Sequence, residues 1–345
     1  MQYSKDKIRS AALILAVALL AVALASCVKD IATDPGIGYT AGMIAYTAYA
    51  DSTQSDLEVY FIDIENYSPE IFNISNMVTN DYYPVWLNGR SAIAYISSTD
   101  IQSSIYKVNP LTLDQSLLLS CPEIIQAISA SPTSAQLAYL HTIPGESLLA
   151  LNLLYTGSLD TLRLNEVSQT NNPVMAWSDD GSKLAVNGGI VQVFEAETGR
   201  FLYPVNTTAD YMAWDLGAER LYVVRSGDLF EVDTLTTQTI ISGYGLTYPA
   251  ISPDRRYLAA ISQSRGNELG VIDLSFGTFE GIRLVEVPQT VRNDSRLVSW
   301  APNSRELAFI DLENGRWNIY RAEDDFGWAT SYATDDLTLK KAVNW

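Results

Sequence analysis

Residues 177 to 186 read Trp177-Ser178-Asp179-Asp180-Gly181-Ser182-Lys183-Leu184-Ala185-Val186: an aromatic anchor, a polar reversal and an apolar body. The reversal follows from its composition, because short Ser and Asp side chains bond back to the local backbone and Gly admits a positive φ. The residues flanking it are apolar, so the stretch encodes strand, tight turn, strand. Trp177 stands seven positions before Leu184, and the interval recurs with Trp86 before Ile93-Ala-Tyr, Trp214 before Leu221-Tyr-Val and Trp300 before Leu307-Ala-Phe. Ala130 and Ile251 occupy the same offset before Leu137-Ala-Tyr and Leu258-Ala-Ala. A seventh body, Ile44-Ala-Tyr, has no anchor strand before it.

The bodies are separated by 49, 44, 47, 37, 37 and 49 residues, an irregular period that suits a four-stranded propeller blade better than a helical repeat. Each is followed by an alternating strand, among them Val59-Tyr-Phe-Ile-Asp, Val191-Gln-Val-Phe-Glu and Trp317-Asn-Ile-Tyr-Arg. Tracts at 112–119 and 237–241 supply outer strands. Ala342-Val343-Asn344-Trp345 repeats the anchor pattern with no body after it, so it is expected to complete the first blade and leave no open edge. The expected fold is all-β: a single propeller over 42–345, with seven four-stranded blades. Six or eight blades stay as alternatives, because the unit anchored at Ala130 is degenerate.

The units at 177–186 and at 252–259, Ser252-Pro253-Asp254-Arg255-Arg256-Tyr257-Leu258-Ala259, resemble the TolB-like β-propeller repeat. That repeat occurs in the periplasmic Tol-system protein and in the propellers of prolyl oligopeptidase relatives. The resemblance implies the fold and permits peptide capture near the channel. It implies no Tol role, since no counterpart of the Tol protein's separate N-terminal domain is recognised, and the familiar TolB ring has six blades.

Residues 1–26 carry Lys5, Lys7 and Arg9 ahead of an apolar run from Ala11 to Ala25, the plan of an export signal. Leu24-Ala25-Ser26-Cys27 resembles the bacterial lipobox, which implies cleavage before Cys27 and acylation of its thiol. The lipid bilayer would then be a partner through Cys27, with residues 27–41 as a tether. Val28 follows the cysteine, so a Gram-negative host is expected to place the protein at the outer membrane, and another host on the outer face of its cytoplasmic membrane.

Forty acidic against 22 basic residues give a net charge of −18, which disfavours nucleic acid as a partner. Two cysteines and one histidine argue against a disulfide scaffold or a Cys/His zinc site. His141 reads as a lone surface histidine and Cys121 as a buried inert thiol. The acidic doublets Asp179/Asp180, Asp324/Asp325 and Asp335/Asp336 lack the spacing of a Ca2+ loop and read as solvated turns. No nucleophile elbow, P-loop, zinc-protease or haem motif occurs, so no catalytic residue, metal or cofactor is assigned and the chain is expected not to be an enzyme.

Segments entering the anchor strands should converge on one rim of the channel. The binding candidates there are Asp81, Tyr82, Tyr83, Asn171, Asp210, Tyr211, Tyr244 and Asp294, a mixture of carboxylate, amide and phenol suited to a sugar or peptide. The expected role is a non-enzymatic, membrane-tethered module that binds a protein partner in the cell envelope. Two alternatives stay open: a glycan-binding surface lipoprotein, and a carboxylate- or Ca2+-dependent hydrolase or lyase acting in the channel.

Overall fold

The computed structural model describes residues 42–50, 56–64, 70–170, 173–287, 296–324, 328–334 and 340–345. The signal segment, Cys27, the tether, Asn171 and Asp294 lie outside the described residues, as do Asp325 and both members of the Asp335/Asp336 doublet.

Among the described residues, seven four-stranded antiparallel sheets form the ring. Six run from innermost to outermost strand in chain order; the first instead takes Lys340–Asn344 as its innermost strand, beside Met43–Tyr49. The register sets Ala45 opposite Asn344, Tyr46 opposite Val343 and Thr47 opposite Ala342. The C-terminal strand therefore closes the ring as its sequence pattern implies. The other innermost strands are Asn80–Trp86, Ile125–Ala130, Met175–Trp177, Tyr211–Trp214, Leu246–Ile251 and Val298–Trp300, each ending on its anchor.

The apolar bodies are the second strands. They sit between neighbouring sheets and are buried on both faces, which explains why they read as apolar runs. Ile93–Ser98 is buried throughout. Its blade packs Ala94, Ile96 and Ile105 against Ile125, Ile128 and Leu137 of the next blade, and comparable seams join the others. Outermost strands alternate or face solvent, as Thr161–Ser168 does.

The anchors tie blade to blade. The indole N–H of Trp177 donates to the Ser129 carbonyl at 3.0 Å, that of Trp214 to Ala176 at 3.0 Å, that of Trp300 to Ala250 at 2.9 Å and that of Trp86 to Asn344 at 3.2 Å. Each acceptor is the residue just before the anchor of the preceding blade. A buried Trp needs a partner for its N–H, and this arrangement supplies one while fixing the blade spacing. At the Ile251 anchor the backbone N–H instead donates to the hydroxyl of Tyr211, one blade earlier, at 2.9 Å.

In the quoted turn, Asp180 Oδ1 accepts hydrogen bonds from Ser178 Oγ at 2.6 Å and from the Ser182 N–H at 3.0 Å, while Gly181 takes φ +69°. No helix among the described residues is long and apolar enough to cross a membrane.

Candidate functional site

The innermost strands wall a channel of about 1020 Å3. Among the described residues its charged side chains are Arg90, Arg255, Arg296, Asp179 and Asp210, three cationic and two anionic, within a chain of net charge −18. Arg255 Nε donates to both oxygens of Asp179, at 2.9 and 3.1 Å, and its Nη2 also donates to that carboxylate. This forked geometry holds the guanidinium still. Arg90 donates to the Met43 carbonyl at 2.6 Å and lies 3.9 Å from the Trp86 ring centroid; burial lowers its pKa to about 9. Arg296 stacks 4.5 Å from the Tyr83 ring and has no carboxylate partner among the described residues.

Two tyrosines of the lining share an unusual backbone. Tyr83 has φ +62° and Tyr248 has φ +50°, each stands before a proline, and each sits where the pairing of its inner strand shifts register. A bulge re-aims a side chain and ends regular pairing locally, and a bulky residue at positive φ is strained by about 1–3 kcal/mol. Such strain marks positions where side-chain direction matters more than stability. Tyr211 adds a third phenol, whose oxygen accepts the Ile251 N–H; burial raises its pKa and keeps it protonated, leaving its O–H as a donor.

Of the residues expected on one rim, Tyr83, Asp210 and Tyr211 line the channel. Asp210 accepts the Ser226 N–H at 2.8 Å. Asp81 is instead fully buried at the seam between the first two blades, close to Glu58 and the Ser75 hydroxyl. Tyr82 is half-buried and reaches the Ile125 carbonyl at 3.5 Å, while Tyr244 packs against Phe279 with ring centroids 5.1 Å apart. Tyr248 and the three arginines were not among the candidates. The repeated Tyr-Pro at anchor offset three was the one sequence signal for Tyr248.

A second group lies at the seam of blades two and three. Cys121 ends the outermost strand Gln115–Cys121, Glu123 lies on the crossing to the next blade, and His141 stands near the end of Gln136–Thr142. A sulfur, a carboxylate oxygen and a ring nitrogen from these three residues all lie within 4.8 Å of one another. Cys121 Sγ donates to Glu123 Oε2 at 3.4 Å, and burial pushes the thiol up to about 11. The reading of His141 as a lone surface histidine is therefore corrected, while Cys121 is buried as expected and stands beside Glu123 and His141. Their side chains meet because the chain crosses from the outer edge of one blade to the inner edge of the next.

No protein-family model matches the chain, and no curated protein matches it. Solved propellers do match in fold. TolB from Acinetobacter baumannii has a TM-score of 0.58 at 13% identity, over 88% of this chain and 66% of that one, so the chain spans just under two thirds of TolB's length. An oligogalacturonate lyase in complex with manganese gives 0.65 at 13% identity, covering 82% and 86% of the two chains. A putative 6-phosphogluconolactonase from Bacteroides uniformis gives 0.62 at 13%, covering 87% and 98%. The expectation of a chain without catalytic equipment is overturned by the Cys121, Glu123 and His141 donor set, and propellers of similar fold include a lyase and a putative lactonase. At these identities the likeness shows the fold alone: a seven-bladed β-propeller similar to that of TolB and of the lyase.

Proposed function

We propose that the protein is an envelope propeller, tethered through acylated Cys27, whose channel takes up an extended carboxylate-bearing ligand, an acidic oligosaccharide. The observation that carries this reading is the pair of bulge-held tyrosines, Tyr83 and Tyr248, in a lining that also holds Arg90, Arg255 and Arg296. Aromatic faces stack on sugar rings, and guanidinium groups bind carboxylates as charge-assisted hydrogen bonds. Arg296 is the group best placed to receive the anion, since among the described residues its guanidinium lies against the Tyr83 ring and has no carboxylate partner. A peptide with acidic side chains meets the same chemistry. The lyase of similar fold is named for an acidic oligosaccharide, which agrees with the chemistry of the lining and adds no residue to it.

A second reading, a metal-dependent hydrolase or lyase, is favoured by the Cys121, Glu123 and His141 group. Calorimetry of the full chain in detergent with oligogalacturonate and with neutral dextran oligomers of equal length separates the proposals. Oligogalacturonate is expected to bind, to weaken with rising salt and to weaken about tenfold or more in Arg296→Ala, consistent with a charge-assisted bond of about 1.5–3 kcal/mol. Equal binding of the neutral oligomer, or no binding of the acidic one, overturns the channel reading. Release of unsaturated or shortened products during the titration supports the second.

A further inference from the structure

We propose that Cys121, Glu123 and His141 form a binding site for a zinc-class divalent cation at the seam of blades two and three, independent of any ligand in the channel.

The placement is set by topology. Cys121 pairs with Ser103 at the outer edge of blade two, and four residues later, past Glu123, the chain begins the innermost strand of blade three. The first residue of that strand, Ile125, pairs with His141. Donors twenty residues apart in sequence are thus brought to one face of one seam by three separate backbone anchors. They do not depend on a single flexible loop.

The distances suit a small four-coordinate ion. Bonds of about 2.0–2.3 Å from zinc to nitrogen, oxygen and sulfur imply edges of about 3.3–3.8 Å between ligand atoms in a tetrahedron. Cys121 Sγ to Glu123 Oε2 is 3.4 Å, and His141 Nδ1 to Glu123 Oε2 is 3.9 Å. With no ligand pair beyond 4.8 Å, the group needs to contract by about 1 Å at most to close on an ion. The imidazole is also oriented from outside the group. Its Nδ1 also stands 2.9 Å from the Thr142 carbonyl, so an ion bound through this nitrogen takes the place of that hydrogen bond, while the ring stacks on Tyr139 with centroids 5.9 Å apart.

The donor set selects the ion. A thiolate beside an imidazole disfavours the hard cations Ca2+ and Mg2+, which take oxygen ligands only, and favours zinc or cobalt. Three protein donors leave a fourth position, and the partial exposure of Glu123 at 26% and His141 at 16% leaves it open to water. That is the coordination of a working zinc centre; a purely structural one normally uses four protein ligands.

The test uses cobalt as the probe on the full chain. One equivalent of Co2+ is expected to give the sulfur-to-cobalt charge-transfer band together with the visible bands of four-coordinate cobalt, and stoichiometric Zn2+ should bleach both. Cys121→Ser should remove the charge-transfer band, and Glu123→Gln, at a partly exposed position outside the hydrophobic seams, should weaken zinc at least about tenfold while the thermal unfolding of the metal-free chain stays unchanged. A charge-transfer band that survives Cys121→Ser, six-coordinate cobalt spectra, or the same zinc affinity in wild type and Glu123→Gln would each overturn the assignment.

Discussion

Asp81 gives the fold a measurable dependence on pH. Its carboxylate is wholly out of solvent, Oδ1 accepts from Thr79 Oγ1 at 3.1 Å, and Oδ2 has no hydrogen-bond partner. Burial, above all, raises its pKa from 3.8 to about 6; the nearby Glu58 carboxylate pushes the same way, against the hydroxyl of Ser97. A carboxyl whose folded pKa is raised holds its proton more tightly in the folded state. Its contribution is therefore fully present below pH 3.8 and is lost as pH rises through about 6. At about 1.4 kcal/mol per pH unit the interval amounts to about 3 kcal/mol, a large part of a typical stability of 5–15 kcal/mol. Asp81→Asn removes the charge and keeps the shape, at a cost of about 1 kcal/mol for a buried amide hydrogen without an acceptor. The variant should be about 1 kcal/mol less stable than wild type near pH 3 and about 2 kcal/mol more stable near pH 8. Urea unfolding followed by tryptophan fluorescence at the two pH values measures the crossover. Glu58 titrates in both proteins, so the difference between them reports Asp81 together with its coupling to Glu58. Parallel pH profiles for the two proteins would refute the argument.

Other outcomes test other parts of the molecule. Trp214→Phe leaves the Ala176 carbonyl at a buried seam without its donor and should lower unfolding stability by about 1–3 kcal/mol; Trp317→Phe, outside the innermost ring, should cost less, and equal costs would discount the indole links. Labelled palmitate is expected to enter the full chain in a bacterial host and to be absent from Cys27→Ala, while an unlabelled wild type would exclude the lipid tether.

The blade count and the ring closure were legible because their signals are local and repeated: an anchor, a polar turn and a body seven residues on. Blade three shows where that legibility fades. Its third strand, Leu148–Tyr155, is an apolar run with no alternation, since six of its eight residues are buried between sheets, and it carries no mark that separates it from a core helix. The outer strand read at 112–119 begins only at Gln115, because the chain first turns through Asn109, Leu113 and Asp114, with the Leu113 N–H donating to the Asn109 carbonyl at 2.8 Å. The channel tyrosines were half visible. Tyr83 stands where the chain enters an anchor strand, but the bulge that turns it depends on pairing with a second strand, which a single stretch of sequence does not contain. Nor could the meeting of Cys121 and His141 be read, because it depends on how two adjacent blades stack.

The seam between the two ends of the described chain joins residues about 300 positions apart, so its loop-closure entropy is the largest in the molecule and its pairing should form late. Until it forms, six sheets are complete, while Met43–Tyr49 presents a bare row of amide and carbonyl groups to the channel. Such a row accepts any strand of suitable register. A molecule halted at this stage is primed to borrow the missing strand from a second copy, linking rings head to tail. Prompt docking of residues 340–344 thus protects against polymerisation as well as completing the wall.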